Sequence, residues 1–309
     1  MANPILVGYD PRRRDRAPVD FGIAAANFTG APLIIGSVHA GTTALGPDAE
    51  GIVEDELVEN AGESLDHLAQ DLRRQGVHVE SRALAGHSAA HALHNAAEEF
   101  GAGLLVIGST ERGSVGRLLP GSTAERLMHG APCPIAVVPR SWEAGGGLNT
   151  IGVAWVDTPE GHQALDGAVA LARRSGAKIV VLNAAKPHDL SGTYGGGDPM
   201  TRATGYGELA STVRTAAERA VAAATAGETG IDIEPDVSVG DPGDFLIAAS
   251  ERLDLLICGS RGYGPTRAVL LGGVSRRVTS EAHCPVIVLA RGASSRLEAL
   301  IDEEAGAVG

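Results

Sequence analysis

The chain has 309 residues and a formal net charge of −13. This length favours two domains, and the acidic balance disfavours generic attraction to nucleic acid or to an anionic membrane. Only 3% of the residues are aromatic and 42 are glycine, so the core must use Ala, Val, Ile and Leu between many tight turns.

The start of the chain shows no signal-peptide pattern, and no apolar run approaches the roughly 18 residues that a membrane span needs. The three cysteines have no CxxC spacing, which is typical of buried small hydrophobic residues in a reducing compartment. We therefore expect a cytoplasmic protein.

The first half alternates short β-branched runs with longer amphipathic stretches, a pattern that predicts β-α units on a mostly parallel sheet. We expect its strands near residues 4–9, 32–39, 77–83, 103–107 and 134–138. We expect its helices near residues 17–29, 51–75, 87–100 and 122–129.

The second half repeats this alternation. Its strands are expected near residues 150–155, 177–183, 231–237, 254–258 and 285–289. Its helices are expected near residues 160–175, 205–227, 241–252 and 273–281, and the glycine-rich segment 188–205 is expected to be an irregular loop.

The two halves are copies of one another. APCPIAVVPR at 131–140 matches AHCPVIVLAR at 282–291, with five identities in ten at an offset of 151. A period of this size indicates a duplicated domain, since solenoid repeats are far shorter. We predict domains at residues 1–143 and 149–292, joined through Ser141–Asn149, and a polar tail at 293–309.

Each copy is predicted to be a doubly wound α/β domain with a five-stranded parallel sheet in the order 3-2-1-4-5, flanked by helices. In such a sheet, ligands bind beyond the carboxyl ends of the strands where the order reverses. The loops after strands 1 and 4 meet there. GSTERGSVGRLLPGST at 108–123 and GSRGYGPTRAVLLGGVS at 259–275 follow strand 4, and such glycine-rich turns before a helix suit phosphate oxygens.

These residues resemble the universal stress protein family, and the whole chain resembles the tandem form common in actinobacteria. The resemblance implies a Rossmann-like, HUP-type fold. ATP-binding members carry G-x2-G-x9-G-[S/T] after strand 4, an Asp after strand 1 and a Val near the end of strand 2. The Asp and Val positions then hold the adenosine part, and the glycines and hydroxyl hold the phosphates.

The first copy keeps most of this pattern but has Glu111 in place of the second motif glycine. A carboxylate there would repel a polyphosphate, and a residue with a side chain resists positive φ. Gly113 could supply the turn in a shifted register. The nucleotide-binding residues expected in this copy are Asp10, Val38, Gly108, Gly113, Gly121 and Ser122.

The second copy keeps the three glycines but departs elsewhere. Val156 aligns with the strand-1 Asp, with Asp157 one residue late, and strand 2 ends in Asn183-Ala184. The nucleotide-binding residues expected in this copy are Asp157, Ala184, Gly259, Gly262, Gly272, Gly273 and Ser275.

Catalytic and metal sites are not expected. The chain has no GxSxG elbow and no GxxxxGK[ST]. It therefore lacks the sequence motifs of α/β-hydrolase serine nucleophiles and of P-loop phosphate sites. His87, His91 and His94 share a helix face but are expected to be solvated.

Three functional hypotheses remain open. The first is an adenine-nucleotide-binding regulator, with ATP as the ligand, with or without Mg²⁺, and without a defined reaction. The second is a nucleotide-free interaction module, and the third is a slow ATPase. The resemblance also implies pairing of the two halves as a pseudo-dimer, and a homodimer.

Overall fold

The computed structural model describes residues 3–13, 15–40, 62–86, 88–109, 123–128, 130–185, 211–212, 214–216, 218–259, 273–289, 297 and 300. The chain forms two compact units, built mainly from its first and second halves. The division between Gly145 and Gly146 falls within the expected linker.

The first unit is a parallel sheet with helices packed on it. Its strands are β1 (Ile5–Tyr9), β2 (Leu33–Ala40), β3 (Val79–Gly86), β4 (Leu104–Gly108) and β5 (Ile135–Val138). Its helices are α1 (Ala17–Thr29), α2 (residues 62–74), α3 (Ala89–Glu99) and α4 (Thr123–Met128). The strands pair in the order β3-β2-β1-β4-β5, so the ends of β1 and β4 lie side by side at the point where the order reverses.

The second unit repeats the arrangement. Its strands are β6 (Thr150–Ala154), β7 (Lys178–Ala185), β8 (Ile233–Val239) and β9 (Leu255–Gly259). The second copy ends with β10 (Val286–Leu289), of which residues 287–289 group with the first unit. Its helices are α5 (Pro159–Ser175), α6 (described at residues 211–212, 214–216 and 218–225), α7 (Pro242–Ser250) and α8 (Gly273–Glu281). Parallel pairing gives the order β8-β7-β6-β9. The amide of Leu256 donates to the carbonyl of Pro285 at 3.0 Å, as Leu105 does to Pro134 in the first unit.

Strands β4, β5, β9 and β10 have no polar face. Every residue of β5 and β10 is buried, and so are the first four residues of β4 and β9. This is the pattern of parallel strands covered by helices on both faces. The predicted α/β class with doubly wound parallel sheets is confirmed.

The three cysteines are free and buried. Burial raises the pKa of both Cys258 and Cys284 to about 12. Because the thiolate is the reactive form, these two thiols are unreactive in the folded chain.

Two residues of the expected polar tail are buried. Leu297 and Leu300 are each 2% exposed and group with the first unit. A Cβ placed on Gly103, just before β4, would lie 2.7 Å from Cδ2 of Leu300. The tail therefore adds apolar contacts to the first unit. Within the described residues, no helix has the length and apolar character required to cross a membrane.

Candidate functional site

Three of the expected site residues of the first unit lie at one edge of its sheet. Asp10 directly follows β1, Gly108 is the last residue of β4, and Val38 is half-buried near the end of β2. Because β1 lies between β2 and β4, these residues border one crevice. The positions expected at Gly113, Gly121 and Ser122 lie outside the described residues.

Asp10 organises the loop between β1 and α1. Its Oδ1 accepts hydrogen bonds from the amide of Arg12 at 3.0 Å and from Nε of Arg12 at 3.2 Å. Its Oδ2 lies 3.5 Å from Nε of Arg13. The side chains are 36% exposed for Asp10, 80% for Arg12 and 59% for Arg13. Ion pairs this exposed contribute about 1 kcal/mol or less, so a ligand can displace them.

A second carboxylate, which the sequence motif did not indicate, lies beside the first glycine of the loop. Asp15 Oδ1 accepts from the amide of Ala17 at 3.1 Å, at the start of α1. A Cβ on Gly108 would lie 3.0 Å from Asp15 Oδ2. The partial positive charge of a helix N-terminus stabilises such an anion. Because Gly108 has no side chain, the Asp15 carboxylate can lie next to the expected phosphate loop.

Pro18 determines where α1 begins. It lies in the first turn of α1, where a missing N–H costs no hydrogen bond. If α1 began one turn earlier, Pro18 would lie in the helix interior, and its ring would clash with the carbonyl four residues before it. Residues 11–13, 15 and 16 therefore lie outside the helix, in a loop beside Asp10.

The second unit winds the equivalent residues into a helix. The 13-residue α1 and the 17-residue α5 end at equivalent left-handed glycine caps, Gly30 and Gly176. The extra residues of α5 therefore lie at its start. There Thr158 accepts from the amide of Gly161 at 3.2 Å, and Pro159 occupies the first turn. A Ser/Thr cap followed by Pro is a strong helix-start signal.

This extra turn of α5 lies on the end of the sheet. A Cβ on Gly161 would lie 2.0 Å from the carbonyl oxygen of Val156. A Cβ on Gly259, the last residue of β9, would lie 2.7 Å from the carbonyl oxygen of Glu160. Main chain of α5 therefore lies against Gly259, whereas the nearest described atoms to a Cβ on Gly108 belong to the side chains of Asp15 and Pro18.

Strand register shows which residue of the second unit takes the place of Asp10. Ile151 pairs with Ile179 and Leu255 as Ile5 pairs with Leu33 and Leu104. Counting five residues onward places Val156 at the Asp10 position. The same count places the half-buried Ala184 at the Val38 position.

Asp157 is directed to the helix that follows it. Its Oδ1 lies 2.9 Å from Nε2 of His162 on α5. The ring of His162 also meets the ring of Trp155 edge-on, with centroids 5.8 Å apart. Trp155 is 2% exposed, and its Nε1 has no hydrogen-bond partner among the described residues. The assignment of Asp157 to nucleotide binding stays a prediction.

Arg277, in the middle of α8, pairs with acidic residues at the start of α7. Nη1 of Arg277 lies 3.1 Å from Oδ1 of Asp241, the N-cap of α7, and Nη2 pairs with Asp244. The hydrogen bond to Asp244 raises the pKa of Arg277 above its ordinary value. Gly273 opens α8 and is exposed, and Ser275 is half-buried in its first turn. The positions expected at Gly262 and Gly272 lie outside the described residues.

The histidine stripe on α3 is occupied by contacts along its own helix. Nε2 of His91 lies 3.3 Å from Nδ2 of Asn95, and Nε2 of His94 lies 3.5 Å from Oε1 of Glu98. His87 lies outside the described residues. No group of three or more His, Cys, Asp or Glu side chains in the described part of the chain is placed to hold a metal ion.

Comparison with known proteins gives one consistent family. A sequence model of the universal stress protein family matches residues 1–139 and again residues 147–290. A universal stress protein of Mycolicibacterium smegmatis is 26% identical over 293 residues, which cover 92% of this chain and 96% of that protein. A second one from the same species is 34% identical over 134 residues, covering 43% of this chain and 95% of the relative.

Solved structures show the same fold. The crystal structure of a universal stress protein from Archaeoglobus fulgidus superposes with a TM-score of 0.65 at 20% identity, covering 93% of this chain and 96% of that chain. A putative universal stress protein from Pseudomonas aeruginosa gives 0.64 at 16% identity over 98% of this chain and 99% of that one.

Proposed function

The chain belongs to the universal stress protein family, and we propose that it binds an adenine nucleotide, with ATP as the leading ligand, in its first unit. The protein then acts as a stress-response regulator whose bound nucleotide is a signal, not a substrate. The observation that supports this is the open loop after β1, where the exposed Asp10 carboxylate adjoins Gly108 and Val38.

The first unit has the donor and acceptor groups that such a ligand needs. A carboxylate accepts hydrogen bonds from ribose hydroxyls, and the half-buried Val38 offers an apolar contact to the base. Gly108, Gly121 and Ser122 match the phosphate positions of the family motif. Mg²⁺, where present, would be bound mainly by the phosphates, as is usual for this ion.

We propose a different role for the second unit, as an interaction module without nucleotide. Val156 occupies the carboxylate position there, and the main chain of α5 lies directly on Gly259. A ligand would have to move helix backbone, which is held by the Thr158 cap. One nucleotide per chain follows from these two observations.

We expect no turnover at the first-unit site. Asp10 is paired with arginines, and Asp15 is bonded to the main chain at the start of α1. In this proposal Asp10 accepts from the ribose and Asp15 Oδ1 accepts from the amide of Ala17, so neither carboxylate is assigned to activating water. Phosphate release from ATP above a protein-free control would favour the slow-ATPase alternative. Pairing of the two halves and homodimerisation stay predictions.

Isothermal titration calorimetry with ATP tests the proposal. We expect one site per chain, and Asp10→Asn should weaken binding about tenfold or more, because a hydrogen bond to a charged group is lost. Asp157→Asn is the matched control and should leave the affinity unchanged. A chain that binds no ATP at millimolar concentration, or loses binding through Asp157→Asn instead, contradicts the proposal.

A further inference from the structure

Two of the arginines in the loop before α1, Arg12 and Arg13, have no counterpart in the second unit. With Ile5 equivalent to Ile151 and Gly30 to Gly176, Arg12 and Arg13 correspond to Thr158 and Pro159. In the second unit these two positions cap and begin α5. The arginines are therefore not required by the fold.

We propose that Arg12 and Arg13 make the first-unit site selective for nucleoside polyphosphates over nucleosides. This inference rests on the proposed function. In the free protein both arginines are held by Asp10, at 3.2 Å and 3.5 Å. When the ribose of a nucleotide binds Asp10, Arg12 and Arg13 release this carboxylate and bind the phosphates of the nucleotide instead.

This change of partners explains why a nucleoside and a nucleoside polyphosphate should bind with different affinities. Oδ1 of Asp10 already accepts two hydrogen bonds from Arg12, and Oδ2 faces Arg13. A ribose that binds Asp10 competes with these pairs. A nucleoside offers the displaced guanidinium groups no new partner. A polyphosphate does, and the planar guanidinium matches phosphate oxygens with paired donors.

The position of Asp15 makes a positive charge necessary near the phosphates. Its Oδ2 lies beside Gly108, where the glycine-rich loop begins. An uncompensated carboxylate there would repel a polyphosphate. Arg12 and Arg13 lie in the same loop, between Asp10 and Asp15, and supply the compensating charge. In the second unit Gly161 stands at the Asp15 position, so no acid needs to be offset there.

The test compares adenosine with ATP by calorimetry on three proteins. These are the wild type, the double variant Arg12→Gln/Arg13→Gln, and Arg16→Gln. Arg16 is the matched control, because it pairs with Asp20 on α1 at 3.2 Å and not with Asp10. All three measurements use the full-length chain.

The double variant should weaken ATP about tenfold, through two lost charge-assisted contacts, and should tighten adenosine about twofold to fivefold, because Asp10 is freed from two exposed ion pairs. Its ATP affinity should also depend less on salt concentration than that of the wild type. Arg16→Gln should keep the wild-type preference.

The outcomes distinguish the proposed nucleotide binding from the proposed role of Arg12 and Arg13. If the wild type binds no ATP, the proposed function fails and this inference fails with it. If the wild type binds ATP and the double variant keeps the same preference for ATP over adenosine, only this inference is overturned. An equal loss for both ligands also overturns it, because that result indicates damage to the loop and not a lost phosphate contact.

Discussion

The two units differ most in the residues that follow their first strands. Residues 11–13, 15 and 16 form a loop, whereas residues 159–162 of the equivalent segment form the first turn of α5. Strand register and the glycine helix caps are the same on both sides of this difference. One turn of helix therefore distinguishes the two copies at this edge: α5 main chain lies against Gly259, and the side chains of Asp15 and Pro18 lie against Gly108.

The placement of proline explains the difference. Pro159 is tolerated at the first position of α5, directly after the Thr158 cap. Pro18 prevents α1 from starting at the equivalent place and delays it by one turn. A duplicated domain can thus change the accessibility of its site without any insertion or deletion, through the position of a single residue type.

The largest expected effect on stability comes from a substitution at Gly161 in the second unit, where α5 lies close to the main chain of Val156. Gly161→Ala places a Cβ 2.0 Å from the main-chain oxygen of Val156, so the first turn of α5 must shift. We expect a loss of about 3 kcal/mol of stability, confined to the second unit. Hydrogen exchange followed by mass spectrometry at increasing urea concentrations resolves the two units.

The control for this change is Gly240→Ala, since a Cβ there meets no atom within 4 Å. We expect little change in exchange for this variant. Equal destabilisation by the two substitutions would show that α5 does not depend on the close approach at Gly161.

A second test uses the buried thiols. Cys258 occupies the position of Ile107 in the first unit, and burial raises its pKa from its ordinary value near 9 to about 12. A raised thiol pKa stabilises the folded chain below pH 9, and this contribution is lost between about pH 9 and pH 12, because only the unfolded chain releases the proton there. The loss is about 1 kcal/mol per pH unit for each thiol.

Cys258→Val should therefore reduce the alkaline loss of stability in the second unit and change stability at neutral pH by less than about 1.5 kcal/mol. Urea unfolding at several pH values between 8 and 11 measures both quantities. An unchanged pH dependence would assign the alkaline loss to other groups.

The smallest effect is expected from Pro18→Ala. Removing the ring frees α1 to extend upstream, and it removes the Cγ that would lie 3.1 Å from a Cβ on Gly108. We expect a loss of about 1 kcal/mol, largely through the greater freedom of the unfolded chain. The amides of residues 12–16 should become protected from hydrogen exchange. Pro159→Ala is the control, because the Thr158 cap keeps the start of α5 in place.

Much of the fold follows from the sequence because hydrophobic periodicity and the internal repeat agree. The predicted helix at 17–29 matches α1, and the predicted helix at 273–281 matches α8. The described strands fall within a few residues of their predicted positions. Strand ends were less accurate, and β3 and β8 run two or three residues further than expected. Their final residues pair with the neighbouring strand, which a single-strand pattern does not reveal.

The site was only partly predictable. Asp10, Val38 and Gly108 were found from a motif, and the structure brings them to one edge of the sheet. Asp15 beside Gly108 was missed, because these residues are far apart in sequence and the contact forms only when the sheet brings them together. Pro18 was the available signal for the open loop, since it limits the start of α1.

The two tryptophans give each unit its own optical reporter. Trp142 lies in the first unit, with its ring centroid 5.4 Å from that of Phe21, and Trp155 is enclosed in the second. Because the chain has only two tryptophans, Trp142→Phe leaves fluorescence from the second unit alone, and Trp155→Phe leaves that of the first. The response of each half to ATP or to urea can then be recorded separately in the intact chain.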